Sequence, residues 1–308
     1  MFCFNQSRYV TDCLHSVFSQ DPPPDRVFVV DDGSTDDSVA TARHVIAGQA
    51  GTAPVEVRAD GTNRGLAARM NEVLTVADTP YVVWVAADDM LAPDGLALLT
   101  RTAAEHPAAD VVFGDLDVMS EDGVSRGYSR PADTWQGGVA RRYRTGGRPY
   151  WDLLRYNNFI PGGMTLIRAA ALREAGGYPP DIRTEDLNMW LSIGRTSEFR
   201  YVGRPVGRYR VVAGSESRRE RTGVLDHATL LRLRTEDDPR ARAMVPKLVA
   251  LRWALSATRT RGRPAVTLGE LATASGVSAG DIVRTLPAAV ATPVLGALSH
   301  RISRRWRT

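Results

Sequence analysis

The sequence has few cysteines and lysines and no long apolar run. Cys3 and Cys13 are the only cysteines among 308 residues, too few for a disulfide framework or a cysteine metal site, so a reducing, cytoplasmic compartment is expected. No apolar run approaches the roughly 18 residues of a membrane-spanning helix, so any membrane contact is expected to be peripheral. Lys247 is the only lysine among 39 basic residues. This arginine skew weakens the net charge of +4 as an argument for a nucleic-acid partner.

The rest of the composition is ordinary. Hydrophobic residues make up 43% of the chain and charged residues 24%, as is usual for globular proteins. The length is sufficient for a full hydrophobic core and for one large α/β domain, with or without an appended part. Information on function therefore has to come from the patterns along the chain.

The most informative pattern is a strand that runs into acid. Residues 27–30 are four consecutive apolar residues, mostly β-branched, which predicts a strand buried on both faces. The strand ends in Asp31 and Asp32, and Ser34 with Asp37 has the spacing of a helix capping box. Ligands of open α/β sheets bind beyond the carboxyl ends of the strands, so these carboxylates are expected to face a ligand. A turn and cap without any ligand is the alternative.

A second predicted strand ends in the same way. Residues 81–85 are apolar and lead to Asp88 and Asp89. Carboxylates from two strands that end at one sheet edge repel each other unless a cation or a ligand lies between them. Because no histidine or cysteine is near, a divalent ion that prefers oxygen ligands, Mg²⁺ or Mn²⁺, is expected. The alternative for Asp89 is a cap on the following helix.

Helical periodicity accounts for other segments. Ser7 is placed to cap a helix with Cys13 on its apolar stripe. A glycine turn at residue 65 opens a helix in which Arg69 lies off the apolar stripe, which favours a solvated position for that side chain. Residues 184–193 predict another helix, where Asp186 in the first turn could simply complement the helix dipole.

Two stretches do not follow a regular pattern. Residues 128–151 are polar, aromatic and glycine-rich, and a long irregular segment of this kind is either a binding loop or lid, or a surface loop. Residues 1–5 resemble the end of a central strand whose beginning is absent, and losing that part would leave neighbouring backbone groups unpaired. We expect the natural start to lie upstream and to encode a short segment rich in Val and Ile.

Taken in order, these segments resemble the family 2 glycosyltransferases, an inverting group with the GT-A fold that uses nucleotide-sugar donors. The matching pieces are Cys3-Phe4-Asn5-Gln6, the acidic turn at 30–36, Asn63-x-Gly65-x-x-x-Arg69-x-Asn71, Asp88-Asp89, and Gly176-Gly177-Tyr178 followed by Glu185-Asp186. The resemblance implies an α/β fold, a doubly wound mixed sheet flanked by helices. It covers residues 1–215, the expected catalytic domain, and leaves 216–308 as a helical C-terminal extension.

The resemblance also implies roles for individual residues. Phe4 and Asp32 would contact the nucleotide base, and Asn63 and Arg69 would line the donor site.

For the reaction itself, the resemblance implies that Asp88, together with Asp89, binds a divalent Mn²⁺ or Mg²⁺ that bridges the donor diphosphate. Asp186 would be the general base, and its neighbour Glu185 would raise the pKa of the pair if both face the cleft. The acceptor would be a saccharide, a lipid-linked sugar or a small molecule, as in the synthesis of bacterial cell-surface polysaccharides.

The sequence departs from the family pattern at two positions. Ala86 stands where an acid is common, and Val212 stands where a histidine is common, so contacts that close over the donor would come from Arg208, Arg210 or the region of Ser215. A GT-A-like protein that binds sugar nucleotides or acts as a scaffold without turnover is the alternative function, suggested by Ala86 and by the truncated first strand.

The tail lies outside the resemblance. Residues 268–278 are similar to the start of a helix-turn-helix, but residues 282–291 are mostly apolar where a recognition helix displays polar side chains, so nucleic acid is not expected as a partner. A helical hairpin is the plainer interpretation. Residues 286–308 are apolar and then basic, a pattern typical of peripheral contact with an anionic membrane or of a solvated helix.

Overall fold

The computed structural model describes residues 1–49, 53–134, 137–180, 182, 184–212, 220–259 and 266–285. These belong to two compact units, Met1–Asp181 with Glu185–Ala213, and Ile182–Thr184 with Gly214–Thr308. The predicted division of roles between residues 1–215 and 216–308 stays a prediction. The predicted membrane-contact segment 286–308 and the region of Ser215 lie outside the described residues.

The first unit contains two sheets in its described part. Their strands, in chain order, are β1 Phe2–Cys3, β2 Val27–Asp31, β3 Val55–Arg58, β4 Tyr81–Val83, β5 Met90–Leu91, β6 Ala109–Met119, β7 Ser125–Arg130, β8 Leu166–Arg168 and β9 Glu198–Arg210. One sheet is parallel with the order β1-β2-β3, and the other is mixed with the order β4-β8-β6-β9-β5, with β7 paired to β6. The expected mixed sheet is confirmed.

Helices flank these sheets and also form the second unit. Those of the first unit are α1 Ser7–Phe18, α2 Ser38–Ala47, α3 Leu66–Val76, α4 Gly95–Glu105, α5 Gly137–Ala140, a 3-10 helix Arg141–Thr145, α6 Tyr150–Tyr156, α7 Ala169–Glu174 and α8 Glu185–Ile193. Those of the second unit are α9 Glu220–Thr235, α10 Pro239–Arg259, α11 Leu268–Ser275 and α12 Ala279–Arg284. Within the described residues, no helix has both the length and the apolar character that a membrane span requires.

The core of the first unit follows the apolar patterns. Val10, Cys13 and Leu14 on one stripe of α1 are fully buried, which confirms the core position predicted for Cys13. Val29 and Val30 on opposite faces of β2 are also buried, as expected for a strand covered on both sides.

The end of β1 brings two distant acidic turns together. Phe2 pairs with Val30 of β2 on one side and forms a parallel bridge with Ala86 on the other. The N–H of Asp32 donates to the carbonyl of Cys3 over 2.9 Å, and the N–H of Ala87 donates to the carbonyl of Phe2 over 2.9 Å. The turns that carry Asp32 and Asp88 therefore lie on either side of the end of β1.

The cap predicted for α1 was wrong. Ser7 is the first residue of α1, and Gln6 precedes it without a side-chain cap. The backbone N–H of Ser7 donates instead to a carboxylate oxygen of Asp36 over 3.0 Å. The N-terminus of α1 is thus satisfied by a residue from the β2–α2 turn, which a local pattern does not reveal.

The capping box predicted from Ser34 and Asp37 was also wrong. α2 begins at Ser38, and its N-cap Asp37 makes no side-chain hydrogen bond to the helix. Ser34 is engaged by Asp31, whose Oδ2 accepts from the N–H groups of Gly33 and Ser34 over 3.0 and 2.8 Å. A carboxylate at the strand end therefore closes the turn before the helix begins.

The second unit is helical where it is described. Thr267 and Glu270 form a capping box at the start of α11, and Gly276 ends that helix in the left-handed conformation. Trp253 of α10 is buried and donates its indole N–H to the carbonyl of Val266 over 2.9 Å. The short α12 follows, and neither nucleic-acid nor membrane contact is tested by this arrangement.

The packing of α4 against β9 gives a stability prediction. A Cβ added at Gly95 would lie 2.2 Å from the backbone oxygen of Val206, and a backbone atom inside a sheet cannot move away cheaply. We expect Gly95→Ala to destabilise the protein by about 1–3 kcal/mol, measured by chemical denaturation. Gly138→Ala is the control, because a Cβ there meets nothing within 4 Å. Equal stability of the two variants would contradict the packing argument.

Candidate active site

Asp32 joins two of the motifs found in the sequence. Its Oδ1 accepts from the N–H of Arg64 over 2.7 Å, and its Oδ2 accepts from the N–H of Gly65 over 2.9 Å. The neighbouring Gly33 has φ of 79°, and a Cβ there would lie 2.7 Å from the backbone nitrogen of Asn63. The acidic turn and the turn before α3 can approach this closely because that position is glycine.

Arg69 is buried behind this turn, so the expectation of a solvated side chain was wrong. Its side chain is 2% exposed and forms ion pairs with Asp32, Asp60 and Glu72 at 3.1, 2.6 and 3.1 Å. Together with the carbonyl of Thr62, these groups accept hydrogen bonds from every N–H of the guanidinium. Arg69 therefore holds Asp32 in place and has no donor left over for a ligand in this arrangement.

Phe4 lies at the same edge of the sheet. It is 48% exposed, which is unusual for a phenylalanine next to a buried strand. The following Asn5 has φ of 52°, donates its N–H to Ser34 Oγ over 2.8 Å, and accepts from the N–H of Thr35 over 2.8 Å. These contacts hold the exposed ring beside the acidic turn, where a flat apolar group could stack on it.

Asp88 and Asp89 are held by the end of β9. Asp89 is buried, and its Oδ1 accepts from the backbone N–H of Arg210 over 2.9 Å. Nε of Arg210 donates to the carbonyl of Asp88 over 2.8 Å. Burial raises the pKa of Asp88, and burial together with the charge of Asp88 raises the pKa of Asp89 well above its usual range. Two adjacent carboxylates are thus kept in a poorly solvated place where their charges repel.

Asp88 and Asp89 suit a divalent ion whose remaining ligands are supplied by a bound substrate. The described residues contain no group of three or more His, Cys, Asp or Glu side chains arranged around a metal position. A magnesium-type ion needs no such cage, because one or two carboxylates and substrate phosphates are enough. Asp88 is the more exposed of the two, whereas one oxygen of Asp89 is already used by β9.

Asp186 is the second residue of α8 and is fixed by two hydrogen bonds. Its Oδ1 accepts from the N–H of Leu187 over 2.6 Å, and its Oδ2 accepts from Nδ2 of Asn158 over 2.7 Å. Oδ1 of Asn158 accepts from the N–H of Ile160 over 3.1 Å, which orients the amide with its donor toward Asp186. A Cβ at Gly162 would lie 2.9 Å from Cβ of Asp186, so a glycine loop lies directly against the carboxylate.

Glu185 and Asp186 form an unusual acidic pair. Burial raises the pKa of Asp186. Burial and, second, the charge of Asp186 raise the pKa of Glu185 to about 8. The pair therefore holds a proton at a higher pH than exposed carboxylates do.

One cavity of about 190 Å³ is lined by acids that lie far apart in the sequence. Asp89 and Asp186 both line it, along with Arg130, Asn158 and Tyr209. Asp32 is not among the lining residues and lies across the end of β1 from the turn of Asp88 and Asp89.

A small scaffold links α3 to the segment before α8. The side chain of Asn71 in α3 accepts from the N–H of Tyr178 over 2.8 Å and donates to its carbonyl over 2.7 Å. The Tyr178 hydroxyl accepts from the indole N–H of Trp84 over 2.8 Å. The motif that contains Arg69 thus also supports the chain that leads to Asp186.

Asp60 and Asn158, which take part in these hydrogen-bond networks, received no role from the sequence. Arg210 was one of three candidates for contacts that close over the donor, and its guanidinium donates to the carbonyls of Asp88 and Glu121. The only sequence signal for Asp60 is its place in the turn nine residues before Arg69. For Asn158, which lies 28 residues from Asp186, there is none.

Much of this chain is matched by known proteins. The sequence model for glycosyl transferase family 2 matches residues 1–176. EpsE of Bacillus subtilis is 26% identical over 236 residues, which are 75% of this chain and 78% of EpsE. Poly-beta-1,6-N-acetyl-D-glucosamine synthase of Staphylococcus epidermidis is 24% identical over 185 residues, 60% of this chain and 42% of the synthase. The chain thus spans less than half the length of that synthase.

Solved structures agree on the fold. TarS of S. aureus, crystallised as residues 1–349 with UDP-GlcNAc, superposes with a TM-score of 0.63 at 17% identity and covers 95% of this chain and 82% of TarS. The mannosyltransferase PcManGT of Pyrobaculum calidifontis, in complex with GDP-Man and Mn²⁺, has a TM-score of 0.59 at 18% identity and covers 98% of this chain and 85% of its own. The chain therefore belongs to glycosyl transferase family 2 and is a glycosyltransferase with the GT-A fold.

Proposed function

We propose that this glycosyltransferase moves a sugar from a nucleoside-diphosphate sugar to an acceptor hydroxyl with inversion, with a divalent cation on the donor diphosphate and Asp186 as general base. The observation that carries the proposal is the cavity lined by both Asp89 and Asp186. It brings an acidic strand end, suited to a cation, to the same space as a separately held carboxylate.

The donor is proposed to bind along the edge where β1 and β2 end. The exposed ring of Phe4 would stack on the nucleotide base, and Asp32 would accept a hydrogen bond from that base. The backbone of Asn63 lies against the acidic turn, because Gly33 has no side chain that would keep the two turns apart. Arg69 would act indirectly, by holding the carboxylate of Asp32. The UDP and UDP-GlcNAc complexes of TarS and the GDP-Man complex of PcManGT support a nucleotide sugar as the donor.

The metal position is proposed at Asp88, with Asp89 beside it. A bound Mn²⁺ or Mg²⁺ would supply the positive charge that offsets the negative charge developing on the leaving diphosphate. Burial raises the pKa of Asp88, and burial with the charge of Asp88 raises the pKa of Asp89; this cost of placing two acids side by side supports a cation between this turn and the ligand. Mn²⁺ in the PcManGT complex supports the same class of ion.

Asp186 is proposed to take the proton of the acceptor hydroxyl as that oxygen attacks the anomeric carbon. Asn158 holds one carboxylate oxygen by its amide N–H, and the N–H of Leu187 holds the other. A carboxylate held in this way cannot turn away from the cavity. A base on the side opposite to the leaving diphosphate is what an inverting displacement requires.

The acceptor is proposed to be a growing saccharide of a cell-surface polysaccharide. This rests on relatives, which include the poly-N-acetylglucosamine synthase and the succinoglycan biosynthesis protein ExoU of Rhizobium meliloti, 35% identical over 96 residues. ExoU is matched over 31% of this chain and 27% of its own length.

The donor side is tested by a nucleotide-release assay. A panel of UDP-, GDP- and dTDP-sugars, with and without Mn²⁺, is expected to give donor-dependent release that Asp88→Ala abolishes. Asp94→Ala is the control, because that carboxylate lies on the surface in an ion pair with Arg204. Donor binding without release from the wild type would indicate a binding protein, and full release by Asp88→Ala would contradict the metal assignment.

The base is tested by separating binding from transfer. Asp186→Asn keeps the size of the side chain, removes its charge and replaces one accepting oxygen by a donor, so we expect unchanged donor affinity and a transfer rate lower by about 10²–10⁴-fold. Calorimetry measures the donor affinity, and product formation measures the transfer rate. NMR gives the anomeric configuration of the product. A variant that retains transfer would move the base elsewhere, with Glu185 as the next candidate.

The proton held by the acidic pair predicts how stability depends on pH. The folded protein binds a proton at Glu185 more tightly than the unfolded chain does, so stability is lost as pH rises from about 4 toward the folded pKa of about 8. We expect Glu185→Gln to raise the melting temperature at pH 8 and to leave it nearly unchanged near pH 4.5. Glu174→Gln, an exposed control on α7, is expected to have little effect at either pH. An identical change in the melting temperature of Glu185→Gln at both pH values would contradict the raised pKa of Glu185.

A further inference from the structure

The cavity beside Asp186 has one cationic side chain in its lining. Among the described residues that line it, Arg130 is the only basic one. Its guanidinium lies 5.8 Å from the ring centre of Tyr209 and 6.0 Å from that of Tyr128. It forms no ion pair with any acidic side chain of the described residues, unlike Arg69. Arg130 is thus exposed to solvent beside two aromatic rings, and its charge lies at a cavity that two carboxylates also line.

The backbone around Arg130 is fixed on both sides. The hydroxyl of Ser129 donates to the Asp117 carboxylate, and the N–H of Ala132 donates to Oδ1 of Asp115 over 2.9 Å. Asp115 is buried and also accepts from the Tyr201 hydroxyl over 2.7 Å. Asp117 and Asp115 of β6 thus hold Ser129 and Ala132, the residues one position before Arg130 and two positions after it, and anchor the segment that carries the arginine.

Arg130 belongs to a different part of the unit from the donor residues. It ends β7, which is paired to β6 of the mixed sheet, whereas Asp32 and Arg69 lie at the end of the parallel sheet and on the helix after it. Asp186 lies in the same cavity as Arg130. A group bound at Arg130 therefore shares a cavity with the proposed base, which the acceptor hydroxyl has to reach, and with Asp89.

We infer that Arg130 is a specificity-determining residue for the acceptor and that the acceptor sugar carries an oxyanion, a carboxylate or a phosphate. This rests on the proposed function, because it takes Asp186 as the base. A cavity lined by Asp89 and Asp186 repels an anionic sugar unless a cation offsets that charge, and Arg130 is placed to do so. A planar guanidinium binds either oxyanion through two parallel hydrogen bonds. The rings of Tyr128 and Tyr209 would offer faces for the sugar beside it.

The test uses the 308-residue chain and three glucose-based acceptors: 4-nitrophenyl β-glucoside, 4-nitrophenyl β-glucuronide and 4-nitrophenyl β-glucoside 6-phosphate. Binding is measured by ligand-observed NMR, and transfer is measured with the donor that gives nucleotide release. The wild type is expected to prefer the glucuronide or the 6-phosphate over the glucoside by about tenfold or more, as for hydrogen bonds to a charged group. The comparison of the glucuronide with the 6-phosphate shows whether the site binds a carboxylate or a phosphate.

Arg130→Gln is expected to reduce this preference to near unity, because it removes the charge and keeps a polar side chain. Arg126→Gln is the matched control, since Arg126 is exposed on the same strand and does not line the cavity; it is expected to keep the wild-type preference. Equal binding of the three acceptors by the wild type, no binding of any of them, or an unchanged preference in Arg130→Gln would overturn the inference.

Two further readouts separate this inference from the proposed function. If Arg130→Gln raises the KM for the donor and leaves the acceptor preference intact, the arginine serves the donor and the inference is wrong. If the wild type releases no nucleotide from any donor, the proposed function is wrong, while the NMR preference still reports on Arg130.

Discussion

The structure depends on holding several carboxylates in place, at the ends of strands of both sheets and at the start of α8. Each of them is held by backbone or amide N–H groups: Asp31 by its own turn, Asp32 by the turn before α3, Asp89 by the end of β9, and Asp186 by α8 and Asn158. Hydrogen bonds of this kind favour the charged form of a carboxylate and compensate part of its desolvation. Burial and, second, the charge of a neighbouring acid still raise the pKa of Asp89 and of Glu185.

The same contacts explain how the elements are arranged around the site. Arg69 is the only residue that ties Asp32 to the α3 region through a side-chain ion pair in the described residues, and Asn71, two positions later, carries the approach to α8. One helix therefore positions a proposed donor carboxylate and supports the segment leading to the proposed base. Arg210 does the corresponding work on the other side, because it joins β9 to the turn of Asp88 and Asp89 through its backbone and its side chain.

Local patterns predicted much of the framework. The buried strand at β2, the core position of Cys13 and the helix that bears Asp186 all follow from apolar periodicity and turn residues. The same reasoning failed where a side chain had a choice of partners. Ser34 and Ser7 were expected to cap helices, but Asp31 and Asp36 offer stronger, charged partners at the same turns. Arg69 lies off the apolar stripe of its helix, so its side chain was expected in solvent. In the structure, ion pairs with three carboxylates compensate for its burial.

The sequence by itself determined the class of fold, the family, and the acidic residues that follow its strands, because these depend on the order of residues along short segments. Tertiary structure alone decided which oxygens of those acids are already occupied, which acids share a cavity, and that Arg130 joins them there. The physical reason is separation along the chain. The partners of Asp89 and Asp186 lie 121 and 28 residues away, and no local periodicity records contacts that form only when distant elements pack together.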